Sequence, residues 1–142
     1  MKRFHVNVAV ADLRQSIDFY QTLFGEDPTV IKDDYAKWML DDPRVNFSIS
    51  ESTQSSGVNH IGLQADTMQE LGEIQSRLHA AAEATFEQPD AECCYARSSK
   101  TWIHDPDSVA WETFVTHEDI SHYGNDTAPQ ESEAKTQSRC CA

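Results

Sequence analysis

Apolar and polar residues alternate over residues 4–10. Phe4, Val6, Val8 and Val10 fall on one face and His5, Asn7 and Ala9 on the other, the period-two signature of a strand. The period then lengthens. Asp12 stands where an N-cap accepts from orphaned amides, Leu13, Ile17, Tyr20 and Phe24 follow at helical spacing, and Gly25 supplies a left-handed helix end. Short runs at 29–32, 35–40 and 45–50, broken by Asp33-Asp34 and by Asp41-Asp42-Pro43, predict three strands.

After a linker at 52–57 the same order restarts. Residues 58–65 read as a strand with His60 near its start. Thr67 to Glu70 has the form of a capping box, and Met68, Leu71, Ile74 and Leu78 recur at helical spacing. Strands are predicted near 85–87, 99–104 and 109–116. Aligning the halves lays His5-Val6-Asn7-Val8 on His60-Ile61-Gly62-Leu63, with the two histidines 55 residues apart. A repeat of this length signals two copies of one supersecondary unit. The expectation is an α+β domain over 1–117 built from two βαβββ modules, 1–52 and 58–117. The polar stretch 118–142, rich in Ser, Thr, Glu and Gln over 125–139, is expected to be a flexible tail.

Composition narrows the function classes. A chain of 142 residues can bury one sizeable core. Its net charge of −13 repels nucleic acid and anionic membrane surfaces, so neither is an expected partner. The N-terminal run is too short and too interrupted for a secretory leader, and no stretch is long enough to span a bilayer. The four cysteines form two adjacent pairs, Cys93-Cys94 and Cys140-Cys141, unlike the spaced framework of a secreted scaffold. A reducing cytoplasm is the expected setting.

Three residues suggest a metal. In the last strand Glu112 lies with Ala110 and Phe114, opposite Val109, Trp111, Thr113 and Val115. A single strand histidine is more often a satisfied polar residue than a ligand. Two at equivalent repeat positions, with a carboxylate on a matching strand face, favour coordination by His5, His60 and Glu112. Two imidazoles and one carboxylate form the facial triad of non-haem Fe(II), and Zn, Mn, Co or Ni could occupy the same donors. His79, His104, His117 and His122 read as structural or solvated. Neighbouring Cα atoms lie about 3.8 Å apart, too close for an unstrained disulfide. Cys93 and Cys94 can nevertheless both point at one thiophilic atom.

Two βαβββ units with histidine on each first strand and Glu112 on the last resemble the vicinal oxygen chelate superfamily, which includes glyoxalase I, extradiol dioxygenases and fosfomycin or bleomycin resistance proteins. Its modules form an incomplete barrel. The runs Cys93-Cys94-Tyr95-Ala96, Lys100-Thr101-Trp102, Asp105-Pro106-Asp107 and Trp111-Glu112-Thr113-Phe114 are similar to the carbon–arsenic lyases (ArsI) and cadmium-induced (CadI) proteins of that superfamily. Relatives commonly place glycine where this chain has Ser108.

The resemblance implies an Fe(II)-dependent dioxygenase that cleaves the carbon–arsenic bond of trivalent organoarsenicals, such as methylarsonous acid or aromatic arsenicals, to release arsenite. His5, His60 and Glu112 would be the catalytic metal ligands, with Ni, Co, Mn or Zn able to substitute for iron in a purified sample, and Cys93 and Cys94 would bind arsenic. The first strand also offers Asn7 near the position of the third ligand. Glyoxalase-like members carry a further carboxylate ligand on the strand matching 45–50, which here reads Val45-Asn46-Phe47-Ser48-Ile49-Ser50. Its lack of a carboxylate argues against glyoxalase chemistry. The alternatives are a non-catalytic cadmium- or arsenite-binding resistance protein and a glyoxalase-like metalloenzyme. Tyr95, Lys100 and Trp102 either shape a substrate pocket or are explained by strand packing and a solvated lysine. Cys140 and Cys141 either collect metalloid or are adventitious. Barrels of this type close within one chain or by exchange, so monomer and homodimer are both open.

Overall fold

The computed structural model describes residues 1–125. Its elements run β1 (Arg3–Val10), α1 (Leu13–Phe24), β2 (Val30–Ile31), β3 (Tyr35–Asp41), β4 (Arg44–Glu51), β5 (Gly57–Gln64), α2 (Met68–Ala80), β6 (Phe86–Cys93), β7 (Ala96–His104) and β8 (Ala110–Asp119). Strand, helix and three strands thus occur twice, as the repeat predicts. The strands form one mixed sheet of eight in the order β2-β3-β4-β1-β5-β8-β7-β6, with β1 and β4 parallel. The chain divides into two compact units, Arg3–Ile61, and Met1–Lys2 with Gly62 onward.

In the unit Arg3–Ile61, Asp12 caps α1 by accepting from Gln15 N–H at 2.8 Å, and Gly25 closes it at φ 70°. Leu13 joins Val10, Trp38, Phe47 and Ile49 in the core, with Ile17, Tyr20 and Phe24 packed against them. The helical positions predicted from spacing are therefore the ones that pack. Burying one such side chain is worth about 1.5–3 kcal/mol. The indole N–H of Trp38 donates to the Glu26 carbonyl at 3.0 Å, so its burial leaves no orphaned donor.

The other face of this sheet is polar and buried. Parallel pairing sets His5 opposite Asn46 and Asn7 opposite Ser48, and all four side chains are buried. Asn7 Nδ2 donates to Ser48 Oγ at 2.9 Å. Alternation alone would place the polar residues toward water; here Phe4, on the apolar face, is 42 % exposed.

In the second unit Thr67 caps α2, accepting from Glu70 N–H at 3.2 Å. The Glu70 carboxylate reaches one residue further back than a capping box requires and accepts from Asp66 N–H at 2.9 Å. Leu71 packs with Ala65 and Val115, whereas Met68 at the helix start is 51 % exposed. The sixth strand is longer than expected. It runs Phe86–Cys93 through a register shift between Gln88 and Ala91, where Pro89, which lacks an N–H, sits on the sheet edge. Ser99 Oγ donates to the Pro89 carbonyl at 2.6 Å. The turn before β8 holds Ser108 at φ 66°, a conformation that glycine adopts at no steric cost.

Past β8 the chain remains hydrogen-bonded, with Ile120 N–H donating to the Tyr95 carbonyl at 2.9 Å. Cys140 and Cys141 lie outside the described residues. Among the described residues, no helix is long and apolar enough to cross a membrane.

Candidate metal and thiol centres

His5 and His60 come together within the first unit, with their Nε2 atoms 3.1 Å apart. His5 Nδ1 lies 3.1 Å from the Asn46 carbonyl, and His60 Nδ1 lies 2.7 Å from Asn59 Oδ1. Both oxygens can only accept, so each neutral imidazole carries its proton on Nδ1 and turns its Nε2 lone pair toward the other ring. Two facing lone pairs repel unless a cation bonds both. Two bonds of about 2.1 Å meeting at a right angle place their nitrogens about 3.0 Å apart, the spacing of neighbouring octahedral ligands. The pair therefore fits a divalent metal, and the outer hydrogen bonds fix its tautomers as metal-bound histidines require.

Glu112, in the second unit, is 3 % exposed. Lys100 Nζ donates to its Oε1 at 2.6 Å. Lys100 pairs across the strands with Phe114, and Glu112 with Trp102, so the two charges meet on the diagonal of the β7–β8 ladder. Burial opposes the lysine charge, yet the Glu112 carboxylate and both cysteines hold its ammonium above the ordinary lysine range. A solvated Lys100 is thus excluded: the side chain is buried and ion-paired. Gly62 brings β5 against this site. A Cβ there would lie 1.8 Å from the Glu112 carbonyl oxygen, so only glycine permits the approach.

Cys93 ends β6 and pairs with Ala96, leaving Cys94 and Tyr95 as a two-residue hairpin turn. Their φ values of 57° and 61° make both left-handed, the geometry that Asn-Gly normally supplies. The Cys93 and Cys94 sulfurs lie 2.9 Å apart. The Cys93 thiol, hydrogen-bonded to Cys94 and buried, is pushed well up. Cys94, at the other end of that bond, is drawn down to about 7 despite burial, with Lys100 and the Tyr123 hydroxyl favouring its thiolate. Lys100 thereby links Glu112 electrostatically to the thiols.

Sequence reasoning singled out His5, His60, Glu112, Cys93 and Cys94 as candidates. It missed Tyr123, whose only signal was an aromatic residue in a polar stretch. Of the remaining histidines, His79 lies 3.1 Å from Glu87, His122 lies 3.0 Å from Glu92, and His117 lies 2.8 Å from Ser99.

Comparison with known proteins agrees with the twice-used unit. A Bacillus subtilis (strain 168) protein named "Probable trivalent organoarsenical cleaving enzyme" is 41% identical over 118 residues, covering 82% of this chain and 81% of its own. The trivalent organoarsenical cleaving enzyme of Bacillus sp. (strain MD1) is 37% identical over 132 residues, covering 91% and 81%. An extradiol ring-cleaving dioxygenase from B. fuscum superposes with a TM-score of 0.62 at 13% identity, over 82% of this chain and 33% of that longer one, a likeness of fold. The sequence model of one family matches residues 2–113, nearly all of both repeats, and the chain belongs to that Glyoxalase/Bleomycin resistance protein/Dioxygenase superfamily.

Proposed function

We propose that the protein cleaves the carbon–arsenic bond of trivalent organoarsenicals and releases arsenite, using dioxygen and Fe(II). His5, His60 and Glu112 hold the metal in this reading, and Cys93 and Cys94 grip arsenic. The observation that carries it is the thiol turn: two sulfurs 2.9 Å apart in the same compact unit as a buried carboxylate. The relatives' names point to the same substrate class. Further support comes from β5, where His60 precedes by two positions the glycine that abuts Glu112.

Each residue then has a physical task. Cys94, the more acidic thiol, attacks arsenic first, and Cys93 follows; two As–S bonds replace two As–O bonds, and two waters leave. Lys100 holds its proton on Nζ and stabilises the sulfur charge during capture. Asn46 and Asn59 keep the imidazole protons on Nδ1. The burial of His5, His60 and Glu112 keeps bulk water from the reacting carbon. Fe(II), when bound, supplies the means of activating dioxygen. For a methyl substituent the atoms balance as methylarsonous acid plus dioxygen giving arsenite plus formaldehyde. Reduced thiols are required throughout, which suits a cytoplasmic location.

The test is incubation of anaerobically purified, Fe(II)-reloaded protein with methylarsonous acid in air, followed by arsenic speciation. Arsenite release that is lost in His60→Ala is expected. An intact arsenical after exposure to the reloaded protein would remove the assignment.

A further inference from the structure

Neighbouring side chains on an extended strand point to opposite faces. Cys93 and Cys94 can hold one atom only because the left-handed turn brings both sulfurs to one side. Such a turn without glycine or asparagine is strained and persists only where its surroundings hold it. The segment after β8 supplies that hold. Ile120 N–H donates to the Tyr95 carbonyl at 2.9 Å, and Tyr95 N–H donates to the Tyr123 carbonyl at 3.4 Å. The Tyr123 ring meets Tyr95 edge-on with centroids 5.6 Å apart, and its hydroxyl lies 3.5 Å from Cys94 Sγ. Gly124 takes φ +87°, and a Cβ there would lie 1.9 Å from the Glu92 carbonyl oxygen, so glycine alone lets the segment lie against the end of β6. The ion pair between His122 and Glu92 is exposed and adds little. These contacts converge on residues 92–95.

We propose that residues 120–124 are a latch on the thiol turn, with Tyr123 as its positioning residue, and that the latch presets the two sulfurs to grip a single trivalent arsenic atom. The ligand class rests on the function proposed above; the latch itself does not require that the arsenical be cleaved. Presetting a site lowers the cost of binding and leaves the chemical step alone. Its signature is therefore in Kd and KM, not in kcat.

The probe is phenylarsine oxide, a trivalent aromatic arsenical, titrated calorimetrically under anaerobic conditions into the full-length chain carrying Cys140→Ser and Cys141→Ser, so that one thiol pair answers. Tyr123→Ala and Gly124→Ala are expected to weaken binding about tenfold, and Tyr123→Phe, which keeps ring and backbone contacts, about threefold. The KM for methylarsonous acid should rise in parallel while kcat stays within about twofold. Gly124→Ala alters no side chain of the turn, so it answers even where Tyr123→Ala fails to fold, which thermal melts report. Unchanged binding in the folded latch variants, a fall in kcat at constant KM, or no binding by the parent chain overturns the latch. A parent chain that binds phenylarsine oxide but releases no arsenite from methylarsonous acid overturns the cleavage reading and leaves the latch standing.

Discussion

The histidine pair and the cysteine pair are built by opposite means. His5 and His60 sit inside strands, and their rings are oriented by neighbouring carbonyls, that of Asn46 on the backbone and that of Asn59 on a side chain. Cys93 and Cys94 straddle the end of a strand and a two-residue turn, and their alignment depends on left-handed backbone at Cys94 and Tyr95. A hard cation needs donors fixed on rigid elements, which ladders of hydrogen bonds supply. Two sulfurs that must meet on one atom need adjacent residues to share a side, which a regular strand forbids. In the function proposed above, the left-handed backbone at the thiol turn serves the grip on one atom; the histidines carry no such backbone.

The largest expected effect is at Lys100. Replacing it in Lys100→Met removes the ammonium that pairs with the buried Glu112 carboxylate and should destabilise the protein by about 3–5 kcal/mol, read from urea unfolding. A change below about 1 kcal/mol would mean that Glu112 finds another partner or takes up a proton. Next come the thiols. Cys93→Ser and Cys94→Ser should each lower arsenite release at least about a hundredfold while leaving Fe(II) affinity unchanged, separating the two regions functionally. Activity within about twofold of the parent would remove the thiols from the reaction.

The histidine region is probed by Asn59→Ala. Removing the acceptor of His60 Nδ1–H should weaken metal binding about tenfold without altering arsenical binding. Loss of both affinities together would contradict the separation. Alkylation by iodoacetamide distinguishes the sulfurs from one another. Cys94, with its pKa drawn down to about 7, should be labelled first, its rate rising as pH climbs through that value. Cys93, pushed up, should stay slow over the same range. The smallest effect is at Ser108, left-handed like Cys94 but at an exposed turn. Ser108→Gly should stabilise by about 1 kcal/mol with no change in activity, showing that left-handed strain there carries no function.

Legibility in the sequence tracked local signals. The helix over α1 and the first strand were readable because caps, helical spacing and alternation agree there. The repeat then carried His60 onto the position of His5, which no single-strand pattern could do. Beyond that, tertiary context decided. Pro89 and the neighbouring register shift interrupt β6, so eight residues of strand looked like three. Residues Ser98 to Trp102 are all buried although four of them are Ser, Lys or Thr near a carboxylate strand, and hydropathy cannot reveal a lysine buried by its partner. Tyr123 was missed for a related reason. Its segment is polar and aperiodic, and only the turn it packs against gives it a role.

The most direct measurement follows dioxygen uptake, arsenite and formaldehyde together in a single sealed reaction of Fe(II)-reloaded protein with methylarsonous acid. Equal amounts of all three are expected, each lowered at least about a hundredfold in the Cys93→Ser chain. Arsenical held on the thiols with its methyl group intact and no dioxygen consumed would contradict cleavage and leave a sequestering protein.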